Sequence, residues 1–367
     1  MNILFVCENY LPHFGGAEVV FKNLAERYVE LGHSVDLVTH RMQGTKKNEI
    51  IGGVTIHRIP SLYSRYLFTF SSILKTVQLA KKSDIIQTTT FNGAVPAWIA
   101  GKVTGKKVVL TVHEVWGGKW KKVTGFSHLK SWLHEFLEWC IYKLPFDKYV
   151  CVSEATRKDL LKRINEKKVQ VIHNGFDYDF WNPDNYDARK LLPNNYVFFS
   201  WGRPGASKGF QYVIKAMSIV RKKIPGARLV LMFGSADKYK KKFLELKRLI
   251  RDKNLQDVVK ILRPVQHGEL GHILKSIDCG VVPSVAEGFG YNAIEVTAMG
   301  KPVIVSDAGS LPEVVSGEHV IFESTNVPDL AKKMIAVHNG EVVKTPIKKF
   351  EWKSTIDNYL KTYKSVM

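Results

Sequence analysis

Cysteine is scarce in this chain of 367 residues: there are four, Cys7, Cys140, Cys151 and Cys279. None stands at a metal-ligand spacing and no two are close in sequence. This argues against a zinc site or a disulfide framework and suits scattered buried thiols in a reducing compartment. No apolar run approaches the roughly 18 residues of a spanning helix. The chain goes from Met-Asn straight into the apolar run Ile3–Cys7, with no basic leader and no small-residue cleavage site, so a first strand is expected there rather than a signal peptide. Low-complexity tracts and internal repeats are absent. No Gly-x-Gly-x-x-Gly follows the first strand, which argues against a dinucleotide fingerprint. Acidic residues are in deficit, 34 against 54 basic ones, leaving a net charge of +20 that divides almost evenly between the two halves. Such a surface attracts anions: nucleic acid, anionic lipid or phosphorylated substrate. No helix-turn-helix, zinc or single-strand-binding aromatic signature accompanies it, so nucleic acid is not expected as a partner.

The length exceeds what one core usually serves, and two domains are expected. In the first half, short apolar runs at Ile3–Cys7, Ser34–Thr39, Val54–Ile59, Asp84–Gln87, Lys107–Val112 and Tyr149–Val152 read as strands. A helix over about Ala17–Leu31 ends at Gly32. The second half repeats the plan. Strands are expected at Tyr196–Ser200, Arg228–Phe233, Val258–Leu262, Cys279–Val282 and Val303–Ser306, with helices near Phe210–Lys223, Lys238–Asp252 and His267–Ser276. Strands alternating with helices mean mostly parallel sheets with ligands beyond the carboxyl ends of the strands. By that rule Gly15, His113 and Ser153, which follow strands, should meet at one edge.

The richest stretch runs from Ser284 to Asp307. Glu287 and Glu295 stand eight positions apart, about 2.2 helical turns, with Gly288-Phe289-Gly290-Tyr291-Asn292 between them opening a helix. Backbone N–H groups at a helix start attract anions, and glycines allow close approach. A ligand with phosphate in the middle and hydroxyls at both ends suits this arrangement, as a sugar nucleotide does. Upstream, Gly202-Arg203 and Lys208-Gly209 place two cations in a glycine-flanked loop after a strand, where a pyrophosphate would gain ionised hydrogen bonds.

Together these residues resemble the retaining glycosyltransferases of family 4. Glu287-x7-Glu295 is followed by Gly300-Lys-Pro-Val-Ile and Gly309-Ser-Leu-Pro312-Glu313. Tyr10-Leu-Pro-His-Phe-Gly15-Gly16-Ala-Glu18 is similar to the family's glycine-rich first loop, and Thr111-Val-His113-Glu114 to its histidine after a mid-domain strand. Val152-Ser153-Glu154 and His173-Asn174-Gly175 are similar to the end of its first domain. Glu114 stands where relatives often have Asp, and Arg263-Pro264 where many have glycine near the base. The resemblance implies an α/β GT-B fold: two Rossmann-like domains facing across a cleft. Residues 1–180 would form the acceptor side and 181–349 the nucleotide-sugar side. A C-terminal helix over 350–367 would cross back to the first domain.

It also implies a metal-independent, retaining hexosyltransferase with no cofactor beyond its substrate, a nucleotide diphosphate sugar, and with a hydroxyl acceptor that is lipid-linked or a polysaccharide. The catalytic set would be His113, Glu287, Arg203 and Lys208. The donor would be held by Gly15, Gly16, Gly202, Gly288, Phe289, Gly290, Tyr291, Asn292 and Glu295. Asp177-Tyr178-Asp179 matches the Asp-x-Asp metal motif of another glycosyltransferase fold but follows a βα unit, so no metal is expected there. A sugar-nucleotide epimerase, which can share this fold, is the rival reading.

Two segments mix aromatics with cations: Leu62–Phe70 followed by Lys75, Lys81 and Lys82, and Trp116–Trp139 with Lys119, Lys121, Lys122 and Lys130. They suit a peripheral place on an anionic membrane at the cytoplasmic face. Trp132, Phe136 and Trp139 also stand at the spacing of an ordinary core stripe, so both readings are open.

Overall fold

The computed structural model describes residues 1–13, 15–188, 191–234 and 239–367. Phe14 of the first loop and Lys238, the expected start of one helix, lie outside the described residues. The chain divides into two compact units. One comprises Met1–Gly118, His128–Gly175 and Phe350–Met367; the other comprises Lys119–Ser127 and Phe176–Lys349.

In chain order the first half contains β1 (Asn2–Val6), α1 (Gly16–Glu30), β2 (Ser34–His40), β3 (Asn48–Ile51), β4 (Val54–Ile59), α2 (Arg65–Ser71), α3 (Ile73–Ala80) and β5 (Ile85–Thr89). Then come α4 (Ala94–Thr104), β6 (Lys107–Val112), α5 (Trp120–Thr124), α6 (His128–Lys143), β7 (Lys148–Cys151), α7 (Glu154–Leu160) and β8 (Val169–Val171). The eight strands lie in the order β3-β4-β2-β1-β5-β6-β7-β8, parallel except for β3. β1, β5 and β6 are apolar or β-branched apart from Asn2, Gln87 and Lys107, because the sheet is covered on both faces. One face packs Leu4, Ile86, Leu110 and Cys151 against α3, α4 and α6 residues such as Ala80, Ala97 and Ile141.

On α1, Val20, Phe21, Leu24, Ala25 and Tyr28 form one buried stripe at helical spacing. The C-terminal helix, α14 (Trp352–Val366), belongs to this unit. It buries Trp352, Ile356, Tyr359 and Tyr363. Its phenols have buried polar partners: Tyr359 Oη lies 3.0 Å from Thr111 Oγ1, and Tyr363 Oη donates to Gln87 Oε1 at 3.0 Å. Gln170 Nε2 donates to Thr362 Oγ1 at 2.5 Å, tying β8 to the same helix.

The second unit contains β9 (Tyr196–Gly202), α8 (Phe210–Lys223), β10 (Ala227–Phe233), α9 (Lys240–Asp252), β11 (Val259–Leu262), α10 (His267–Ser276) and β12 (Cys279–Val282). After these come α11 (Tyr291–Ala298), β13 (Val303–Ser306), α12 (Leu311–Val314), β14 (Gly317–Phe322), α13 (Val327–His338) and β15 (Val343–Thr345). The order is β11-β10-β9-β12-β13-β14-β15, with only β15 antiparallel. Phe198, Leu231, Val281 and Ile304 pack against Val213, Met217 and Met334 of the covering helices. α5 groups with this unit and contacts the short 3-10 turn Ala206–Lys208.

In each sheet the chain starts in the middle, grows one way, then returns to grow the other. The reversal falls between β1 and β5 in the first unit and between β9 and β12 in the second. At such points the loops leaving adjacent strands part and open a crevice at the carboxyl ends.

Candidate active site

The loops after β9 and β12 carry the residues the sequence singled out, and the strand order brings them together. Lys208 Nζ lies 2.7 Å from Glu287 Oε2, and both side chains are largely covered. Ser284 Oγ donates to the same carboxylate oxygen at 3.1 Å. Val285 N donates to Ser207 O at 2.7 Å, which ties the two loops by their backbones. Gly209 has φ +67, and a Cβ there would collide with the Pro283 carbonyl, so the close approach of the two loops requires glycine.

From the other side, Ser310 N and Ser310 Oγ both donate to Glu287 O, at 3.1 and 3.2 Å. Gly309, at φ +57, leaves no room for a Cβ beside that carbonyl. Glu287 is therefore fixed by three loops. Of the fixing residues, Ser284 opens the motif-rich stretch and Gly309 and Ser310 belong to the motif that follows it, while Ser207 carries no pattern that periodicity or spacing singles out.

Gly288, Phe289 and Gly290 are buried, and Gly290 occupies the N-cap of α11 at φ +96 with no side-chain cap. Tyr291 and Asn292 open the helix. Tyr291 meets Phe289 edge-on at 5.2 Å between ring centroids, and Asn292 Nδ2 donates to Trp201 O at 3.1 Å. Glu295 lies about one turn into α11, not two, because the helix begins only at Tyr291; it is half-buried. Burial pushes its carboxyl up to about 7; Lys208 and a hydrogen bond with Trp201 oppose the rise, and Glu287 adds to it. Gly202 ends β9, and Arg203 beyond it is exposed.

In the first unit, Gly15 is the N-cap of α1 and Gly16 its first residue. Glu18, in the first turn, lies 3.1 Å from His13 Nδ1. His113 follows β6; burial pulls its imidazole down to about 4, against the opposing charge of Glu18. Its Nε2 is buried without a hydrogen-bond partner. A neutral ring with an unsatisfied nitrogen is a costly arrangement in a purely structural residue. Ser153 caps α7, and Thr156 Oγ1 beside it donates to His113 O at 3.4 Å, which brings His113 and Ser153 together after β6 and β7; Gly15 follows β1 of the same sheet. Glu18 belongs to the first-loop motif, but its type and spacing alone give it no role.

The Asp-x-Asp pair is not assembled as a ligand set: Asp177 Oδ1 accepts from Phe180 N at 3.0 Å and shapes a turn. Among the described residues no group of three or more His, Cys, Asp or Glu side chains could hold a metal ion. The four cysteines are free thiols, and Cys7, Cys151 and Cys279 are buried.

Two open, mostly parallel sheets, each reversing its direction of growth beside its first strand, make up the architecture of the two-domain GT-B fold. The solved structure of HepE from Anabaena in complex with UDP superposes with a TM-score of 0.76 at 18% identity, covering 100% of both chains. The family model "Glycosyltransferase Family 4" matches residues 14–180, and "Glycosyl transferases group 1" matches 184–349. The chain belongs to the family 4 glycosyltransferases. Among curated relatives, the GPI3 subunit of phosphatidylinositol N-acetylglucosaminyltransferase from Saccharomyces cerevisiae is 22% identical over 347 residues, covering 90% of this chain and 74% of the relative. An uncharacterized glycosyltransferase of Methanocaldococcus jannaschii is 28% identical over 340 residues, 87% of this chain and 83% of that one.

Proposed function

We propose that this chain transfers a hexose, with retention of anomeric configuration and without a metal ion, from a nucleoside diphosphate sugar to a hydroxyl of a lipid-linked acceptor. The observation that carries the reading is the Lys208–Glu287 pair at the β9/β12 reversal, beside the uncapped start of α11. Lys208 and Arg203 hold the pyrophosphate and offset the charge that builds on the departing diphosphate. Glu287 and the backbone from Gly288 to Asn292 hold the sugar, with Gly202 leaving the phosphates room, and Glu295 accepts from the ribose hydroxyls. Gly15 and Gly16 line the phosphate path, and His113 offers its unpartnered nitrogen to a sugar hydroxyl. The bond from the anomeric carbon to the diphosphate breaks as the bond to the acceptor oxygen forms on the same face, and the acceptor's proton passes to the leaving phosphate. The Glu287 carboxylate is engaged by Lys208 and Ser284, which speaks against a glycosidase-like double displacement through it. Metal independence is supported by the two cations and by the engagement of Asp177 in its own turn.

The lipid acceptor and a peripheral seat on a membrane are supported by α6. Much of its apolar surface faces solvent: Leu129, Trp132, Leu133, Phe136 and Trp139 are exposed, while Ser131 and Glu138 are buried beside Ile141 and Tyr142. Glu138 Oε1 accepts from Trp116 N at 2.8 Å. Trp132, Phe136 and Trp139 stack in a ridge with about 6.0 Å between successive centroids, and Lys143 lies over the last ring at 5.3 Å. An aromatic ridge flanked by cations suits the interface of an anionic bilayer. The yeast relative's name, which pairs phosphatidylinositol with N-acetylglucosamine transfer, points the same way.

The test is incubation with UDP- and GDP-sugars and a membrane lipid extract, with product analysed by mass spectrometry and its anomeric configuration by NMR. A glycolipid carrying the donor's anomeric configuration is the expected product. Inverted product would overturn retention, and release of an epimerised sugar nucleotide without acceptor would establish the rival.

A further inference from the structure

The first unit has its own strand reversal, between β1 and β5, where the loops leaving the two strands part at the carboxyl end of the sheet. Glu8 follows β1 and Asn92 follows β5. The Glu8 carboxylate accepts from Arg65 Nη1 at 3.2 Å and from the Asn92 side-chain amide. Asn92 Oδ1 accepts in turn from Thr69 Oγ1 at 3.2 Å. Arg65 and Thr69 are four residues apart on α2 and so share a face. The Glu8 side chain is 15% exposed and that of Arg65 42%, so the set is half-covered and reachable.

The backbone at this point is also unusual. Phe91, beside Asn92, has φ +75, a left-handed conformation that costs a residue with a Cβ about 1–2 kcal/mol. Such strain collects where a surrounding site fixes it. The Phe91 ring lies 6.1 Å from that of Trp116, giving apolar surface next to the polar set. None of Glu8, Arg65 and Asn92 has a part in holding the donor.

We propose that Glu8, Arg65 and Asn92 form a binding site for a hydroxyl-rich ring, a sugar or cyclitol, that ends the acceptor; this rests on the transferase reading above. A carboxylate accepts from two ring hydroxyls, a guanidinium donates to two, and an amide does both. The charges of Glu8 and Arg65 cancel, so the site suits a neutral polyol ring more than an isolated phosphate. Aromatic rings beside it match the ring's C–H faces. The same short helix that supplies Arg65 and Thr69 exposes Tyr66, Leu67 and Phe70, and Tyr66 Oη lies 3.4 Å from His134 of the outward-facing α6. A ring borne on a lipid would therefore meet apolar surface on the helix that binds it.

The experiment is saturation-transfer NMR on the full chain loaded with UDP. The probes are myo-inositol and methyl glucoside, glycerol as an acyclic control, and phosphatidylinositol in phosphatidylcholine vesicles. Wild type should take up saturation from a ring polyol and not from glycerol. Glu8→Gln and Asn92→Ala should each weaken that binding at least tenfold while leaving the melting temperature and UDP affinity unchanged. Binding of the soluble ring supports the site as such; binding only on vesicles, and lost in both variants, supports it with a lipid-borne ring. No ring binding in wild type, or equal binding in both variants, would overturn the assignment. UDP affinity is read in the same samples, so a wild-type chain that does not bind UDP counts against the transferase reading and not against this site.

Discussion

Glu287 is the residue on which most local structure converges. Three loops hold its backbone and carboxylate, through Lys208, Ser284 and Ser310. Removing a charged hydrogen bond costs about 1.5–3 kcal/mol, and more where the contact strengthens in the transition state. Glu287→Ala should therefore lower kcat by at least about tenfold to a hundredfold, with an unchanged circular dichroism spectrum; wild-type turnover would remove Glu287 from the reaction.

Glu295 makes a separate pH prediction. Its folded pKa, about 7, stands above its ordinary 4.5, so the folded chain binds a proton there that the unfolded chain has released. The sign follows: this carboxyl favours folding at low pH, and that contribution is lost as pH rises through about 7. A ribose diol donating to the carboxylate favours the ionised form, so UDP affinity should rise with pH up to about 7 and then level. Calorimetric titrations at several pH values check this, and Glu295→Gln should flatten the profile. A profile unchanged by the substitution would free Glu295 of the ribose role.

Helices and strands show where sequence is sufficient and where it is not. Strands buried on both faces, such as β1, β6, β12 and β13, are legible because only a continuous apolar run fits there. β15 is not legible: all three of its residues are exposed at a sheet edge, and its place depends on pairing with β14. β3, an antiparallel edge of mixed exposure, fails for the same reason. The stretches around Glu287 and Lys208 were legible as motifs, but their meeting in space depends on the strand order, which periodicity does not contain.

α6 is the sharpest case. Its spacing announces a helix with one apolar stripe, yet a stripe does not say which way it faces. Glu138, bonded to the Trp116 amide, is buried on the inward face with Ser131, Ile141 and Tyr142, and the ridge of rings lies outside, so the core-packing reading of Trp132, Phe136 and Trp139 is set aside. Trp132→Glu with Phe136→Glu should leave the melting temperature within a few degrees, since exposed positions change stability little. The same pair should abolish flotation with liposomes containing anionic lipid. Equal flotation of wild type and the pair would place the membrane contact elsewhere. α14 makes the opposite prediction: ending the chain before Trp352 strips partners from Tyr28, Gln87 and Thr111 and should destabilise the first unit, read as a lost or lowered thermal transition.

For the whole molecule, charge and reaction chemistry join. A chain of net charge +20 meets two anionic partners in the proposed function, a nucleoside diphosphate and a lipid surface. Salt should weaken vesicle binding more than nucleotide binding, because exposed lysines are screened over about 8 Å at physiological ionic strength while the largely covered Lys208 is shielded. If the diphosphate is held by Lys208, Arg203 and the α11 start alone, UDP should raise the melting temperature in the presence of EDTA as it does without it. Nucleotide at about 100 times its dissociation constant contributes about 2.7 kcal/mol. Sugar transfer should likewise survive the chelator. Loss of both effects in EDTA, restored by magnesium or manganese, would assign the diphosphate to a metal instead. Asp177 and Asp179 would then be the first carboxylates to substitute, and Asp177 would have to give up the turn it now holds with Phe180.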